Sequence, residues 1–236
     1  MQDLSLEMAK AVRRFEPIET EGLTLYPIQV KDIDEFTTAR PAIEFMQQSL
    51  PVAMLSKPLL QAYYTLELDA AKIGQPGSGL FYKCILFLLL AMRVGNGLPS
   101  EKRIELVDLE LQANDPTRLK SVLIFVNGEV KRITPMQFQR LRPILAAQNG
   151  IELVSENANP ELVQAERDLA EMNAPKLQYR VETLKATIAT FSGADEADME
   201  EWPILKLLLR RDAVQRLVGY ITCSFAESQG GKWKHG

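Results

Sequence analysis

The sequence predicts a mostly helical α+β protein, a helical bundle with a small antiparallel β-meander over about residues 103–133. Three observations predict it. Apolar residues recur at helical spacing along most of the chain, and residues 80–94 are apolar on nearly every side. From Ile104 to Ile133 the texture changes to alternation and short β-rich runs. Asn127-Gly128 lies between two such runs, residues 122–126 and 130–133. Asn-Gly in that setting marks a tight hairpin, because both central residues of a type I′ turn need positive φ.

Taken in order, residues 9–15 suit a short helix with Arg13 and Arg14 in water. Leu23, Leu25, Ile28 and Val30 suggest a short strand, which Pro27 makes an edge or irregular one. Asp32 is placed as a helix N-cap with Glu35 as its capping-box partner. Ile33, Phe36 and Ile43 form the apolar side of that helix, and Pro41 is expected to kink or end it. Ser56 is expected to cap the next helix, on which Leu59, Leu60, Tyr63, Tyr64 and Glu67 follow the 3.6-residue period. Gly74 to Gly79 form a loop, and Gly95-Asn96-Gly97 stops the apolar helix that follows it.

The meander should start at about Arg103, with a slip near Val107 that suits a bulge, and turn at Asn114-Asp115-Pro116. Thr134-Pro135-Met136-Gln137 opens a helix with cap, N1 proline and capping-box glutamine in place, and Asn149-Gly150 ends it. Asn159-Pro160 opens another. Leu177, Val181, Leu184, Ile188 and Phe191 then step by four and three, a stripe that suits either a packed helix or a partner-binding one. The acidic residues 195–201 read as a solvated helix start, and Val214, Leu217, Val218, Ile221 and Phe225 build a final amphipathic helix. Four regions result: a helical one with a short strand over 1–102, the meander over 103–133, a helical one over 134–229, and a flexible tail over 230–236. These are compatible with one compact domain.

Composition narrows the function. The 236 residues are 46% hydrophobic and 25% charged, which excludes collagen-like, mucin-like and disordered chains. A net charge of −4 does not suit a generally nucleic-acid-binding protein. One histidine and two cysteines are too few for most zinc sites or a disulfide scaffold. Cys84 and Cys223 lie far apart in apolar helical patterns and read as buried free thiols in a reducing cytoplasm. Met1-Gln2-Asp3-Leu4 lacks the basic start of a signal peptide, and the most apolar run, 85–92, is far short of the about 20 residues of a spanning helix.

Catalytic constellations are also missing. The one glycine-rich loop ends in Leu80 where a phosphate-binding loop needs lysine, and no strand precedes it. A Ser-His-Asp or Cys-His pair would need His235, at the very end of the sequence given. Glu105, Asp108 and Glu110 are candidates for a carboxylate-based enzyme, although on an alternating strand they suit a solvent face. Lys206, Arg210, Arg211 and Arg216 form the one basic cluster, which either pairs with the acidic segment or contacts nucleic acid. The expectation is a non-enzyme without cofactor or metal.

Two stretches carry a resemblance. Residues 22–36, GLTLYPIQVKDIDEF, combine a short strand, Pro-Ile-x-Val-Lys-Asp and an aromatic helix start. Residues 225–236, FAESQGGKWKHG, pair a helix end with a Gly-Lys-rich tail. Both are similar to the corresponding ends of tail assembly chaperones of long-tailed and contractile phages of Gram-positive bacteria and their prophages. The central meander departs from the small all-helical members of that family.

The resemblance implies a protein of the bacterial host cytoplasm that coats the tape-measure protein and helps recruit tail-tube subunits. Ribosomal slippage at Gly231-Lys232 would extend it, which requires a slippery heptamer in the gene. A tape measure is a long apolar-striped helix, so its binder needs exposed apolar grooves. The candidate surface is Leu177, Val181, Leu184, Ile188 and Phe191 with Val214, Leu217 and Ile221. A homo-oligomer stays open. The alternatives are a neck or baseplate component of the virion and a small carboxylate-based enzyme.

Overall fold

A computed structural model describes residues 4–126, 128–154, 161–162, 165, 168–169 and 181–228. At 59% helix, with eight helices, a three-stranded antiparallel sheet and a two-stranded hairpin among the described residues, the protein is mostly helical α+β, as predicted. In chain order the elements are α1 (Leu6–Arg14), β1 (Ile18–Thr20), β2 (Leu23–Leu25), α2 (Ile33–Glu44), α3 (Leu59–Lys72), α4 (Leu80–Ala91), α5 (Ser100–Ile104), β3 (Val107–Gln112), β4 (Asp115–Val126), β5 (Glu129–Ile133), α6 (Pro135–Gln148), α7 (Val181–Ser192) and α8 (Ile204–Ser228). Contacts divide the chain into two units. Met1–Ile28 and Asp32–Ala174 form the first, and Gln29–Lys31 and Pro175–Gly236 the second. The meander and α6 thus share a unit with the N-terminal helices.

In the first unit every residue of α4 from 84 to 91 is buried. α2 packs on α4 through Phe36 and Phe87, whose ring centroids lie 5.8 Å apart, and α3 through Tyr64 and Phe81 at 5.5 Å. The buried Tyr63 hydroxyl donates to the Ala42 carbonyl at 2.7 Å. α6 is tied in by Arg142, which donates to the carbonyls of Ile43 at 2.9 Å and Phe45 at 2.5 Å. Its capping box is complete: Thr134 Oγ1 accepts from the Gln137 N–H at 3.2 Å, and Gln137 Oε1 accepts from the Thr134 N–H at 2.9 Å.

The sheet runs β3-β4-β5, all antiparallel. Val126 pairs with Glu129, which leaves a two-residue turn with Gly128 at φ 83°. Asn127 lies outside the described residues. Register shifts fall on either side of Leu111, later than the expected slip at Val107. Leu119, Val122, Ile124 and Ile133 face the core.

Several local expectations are corrected. The meander starts at Val107 and not Arg103, because residues 100–104 form α5. Arg103 is only 2% exposed and donates Nε to the Leu98 carbonyl at 2.9 Å and Nη2 to Asp32 Oδ1 at 2.6 Å. Asp32 therefore makes no side-chain cap bond at α2, since its carboxylate is engaged by Arg103. Ser56 does not cap α3, which starts behind Pro58; its first N–H, of Leu59, donates to Gln139 Oε1 at 3.2 Å. Pro41 sits inside α2, and the helix continues past it with Ala42 and Ile43 fully buried. Packing there outweighs the lost backbone bond. Ile28 and Val30 are buried but not in a strand; β2 pairs with β1 through Ile18↔Leu25 and Thr20↔Leu23.

In the second unit α8 is one helix of 25 residues. Ile188, Met199, Ile204 and Leu207 form the core. The segment 29–31 is stitched to it: the Val30 N–H donates to the Trp202 carbonyl at 2.9 Å, and Gln29 Nε2 and Lys31 Nζ donate to the Glu201 carboxylate at 2.7 and 2.8 Å. The acidic segment is thus held by Lys31 and, through Glu200, by Lys185. Two members of the basic cluster pair elsewhere, Lys206 over the Trp202 ring at 3.9 Å and Arg211 with Asp212 at 2.8 Å. Among the described residues no helix is long and apolar enough to cross a membrane.

Removing Asp32 strands a buried guanidinium. Asp32→Ala is expected to cost about 3–5 kcal/mol in urea denaturation, and adding Arg103→Met is expected to recover most of it.

Candidate functional site

Helices α7 and α8 meet along heptad-like seams. On α8, Ile204, Leu207, Arg211, Val214, Val218, Ile221 and Phe225 are spaced alternately three and four residues apart. The start of this seam is buried, at Ile204 and Leu207. Farther along, Leu184, Thr187 and Ile188 of α7 and Arg211, Val214, Gln215 and Val218 of α8 line a groove of about 340 Å³. Beyond it the apolar side of α8 is open: Leu217 is 45% and Ile221 51% exposed, with Val218, Tyr220 and Phe225 also exposed.

The candidate residues separate on this frame. Leu184, Ile188 and Val214 come together in the groove. Ile188 is 0% exposed and belongs to the unit's core. Val181 is half-buried, whereas Phe191, Leu217 and Ile221 are exposed. Leu177 lies outside the described residues. Val218, which the sequence places on the apolar side of the final helix, lines the groove, whereas the exposed Tyr220 is a residue the sequence pattern does not single out. Tyr220 extends the open side of α8 beyond the seam.

Two of the three central carboxylates, Glu105 and Glu110, form surface ion pairs. Glu110 accepts from Lys120 Nζ at 2.7 Å and Ser121 Oγ at 2.6 Å, and these hydrogen bonds hold its carboxyl below the usual range. A general acid needs the opposite shift. Glu105 pairs with Lys102 at 2.9 Å, and Asp108 accepts from the Leu109 N–H at 2.8 Å. A cavity of about 670 Å³ between the start of α3 and the sheet is lined by Lys57, Gln61, Asp115, Arg118 and Lys120. Its charges are largely paired, Lys120 with Glu110 and Arg118 with Asp115. Among the described residues no group of three or more His, Cys, Asp or Glu is gathered as a metal would require. Burial pushes the Cys84 thiol well above its ordinary value and does the same for the Tyr63 phenol, so neither is an activated nucleophile.

No family model, curated protein or solved structure matches this chain. The α7–α8 surface is therefore read from its own geometry: the groove is lined mainly by apolar side chains, with Arg211 the one charged residue among the described ones that line it.

Ile188→Ala is expected to cost about 2–5 kcal/mol by denaturation, against roughly 0.5 kcal/mol or less for Leu217→Ala on the exposed side. In the native chain, thiol labelling near neutral pH is expected to modify the half-buried Cys223 while sparing Cys84, and urea is expected to release Cys84. The raised Cys84 and Tyr63 groups keep protons that the unfolded chain loses near the ordinary values of 9.0 for a thiol and 10.0 for a phenol. Stability should therefore be unaffected by these groups at neutral pH and fall as pH rises through and above that range, as urea midpoints would record.

Proposed function

We propose that this chain holds the apolar helix of another polypeptide and transforms no small molecule. More specifically, it is a tail assembly chaperone of a phage or prophage, acting in the bacterial host cytoplasm on the tape-measure protein and helping to recruit tail-tube subunits. One observation carries the reading: the apolar side of α8 continues past its cover into exposed Leu217, Val218 and Ile221. An exposed apolar side next to a groove suits helix-in-groove recognition.

The resemblance at residues 22–36 supports the specific family. Leu23, Leu25, Ile28, Val30 and Phe36 of that stretch are buried, and Gln29 and Lys31 hold Glu201. Residues 229–236, with the Gly231-Lys232 pair, lie outside the described residues. The slippage expectation is answered by the gene, which should carry a slippery heptamer followed by an overlapping frame.

The test is co-expression with the long tape-measure protein of the same genome. The wild-type chain is expected to keep that protein soluble. Leu217→Asp with Ile221→Asp is expected to return it to the pellet while the chain's own helix content is unchanged. Purified particles should lack the chain; its retention in them would favour a neck or baseplate component.

A further inference from the structure

Arg210 heads a second row on α8, Arg210, Val214, Leu217 and Ile221, spaced four, three and four residues apart. The row passes from half-buried Val214 to Leu217 and Ile221 in the open. Arg210 is itself exposed, and among the described residues it has no hydrogen-bonding or charged partner. The nearby acids are engaged elsewhere, Asp212 by Arg211, Glu200 by Lys185 and Glu201 by Lys31. A charge at the end of a heptad row selects a partner with the opposite charge at the facing position and thereby sets register and direction.

We propose that this row docks one amphipathic helix of another polypeptide, apolar at heptad spacing and bearing a carboxylate that faces Arg210. The proposal rests on the holding function above and adds the chemistry of the partner and the residue that orients it. A second copy of the chain fits poorly. α8 would bring Lys206, Arg210, Arg211 and Arg216 against only Asp212 and Glu227, and Asp212 is already paired.

The probes are two synthetic helical peptides of about 21 residues, three heptads, with leucine at the a and d positions. They differ at one terminal seam position, glutamate in one and lysine in the other. Binding to the full chain is read by fluorescence anisotropy. The glutamate peptide is expected to bind about five-fold more tightly at low salt, the preference fading at about 1 M salt. Arg210→Glu should reverse the preference, and Leu217→Asp with Ile221→Asp should abolish binding of both peptides. Circular dichroism of each variant checks that the fold is kept.

Equal affinities, or a preference that survives Arg210→Glu, would overturn the proposal. So would a concentration-dependent dimer in sedimentation that the Leu217 and Ile221 changes dissolve. If charge preference is absent while tape-measure solubility still depends on Leu217 and Ile221, this inference fails alone. If solubility ignores those residues, the holding function itself fails.

Discussion

The helix from Leu80 to Ala91 has almost no polar side to offer water, and the rest of the first unit is arranged around that constraint. A helix buried on all sides from Cys84 to Ala91 needs apolar neighbours on several sides at once. Phe36 from α2 and Tyr64 from α3 supply two of them. The backbone at its end is used too, since the Ala91 carbonyl accepts from the Tyr26 N–H at 2.7 Å. The interior of this unit is built largely of aliphatic and aromatic side chains, with the buried Cys84 thiol among them.

Enclosing such a helix brings polar groups inside, and they are resolved by long-range side-chain bonds. Arg103 with Asp32, Arg142 with the end of α2, and Gln139 with the start of α3 each join segments distant in sequence. A buried ion pair adds little net stability against an apolar substitute, but half of one is costly. The pair at Arg103 is thus best understood as fixing where α5 lies against the start of α2. The meander is held in the same manner, with Gln61 of α3 accepting from the Leu119 N–H at 2.8 Å.

The second unit reverses this economy. Its core is small, built on Ile188, Met199, Ile204 and Leu207, while α8 carries more apolar surface than that core covers. Surplus apolar surface on a well-formed helix is a feature of proteins that bury it against something else. Arg210 and Arg216 beside it add charge that has no partner among the described residues. α8 thus joins the core of its unit at Ile204 and Leu207 and presents an exposed apolar side at Leu217, Val218 and Ile221.

The chain's local pattern alone determined the elements whose signals are contained within a few residues. The Thr134 capping box, the hairpin turn at Gly128, the buried α4 and the heptad spacing of α7 are of this kind, because caps, turns and periodicity act between near neighbours. Tertiary structure decided where long-range partners competed with local ones. Asp32 left its cap for Arg103, Pro41 stayed within a helix because the residues after it were buried, and the acidic run found Lys31 and Lys185 instead of the arginines beside it. The candidate surface divides along the same line. Heptad spacing brought its residues into view, but spacing is the same for a core and for a docking face. Only the packing of α7 on α8 separated fully buried Ile188 from exposed Leu217 and Ile221.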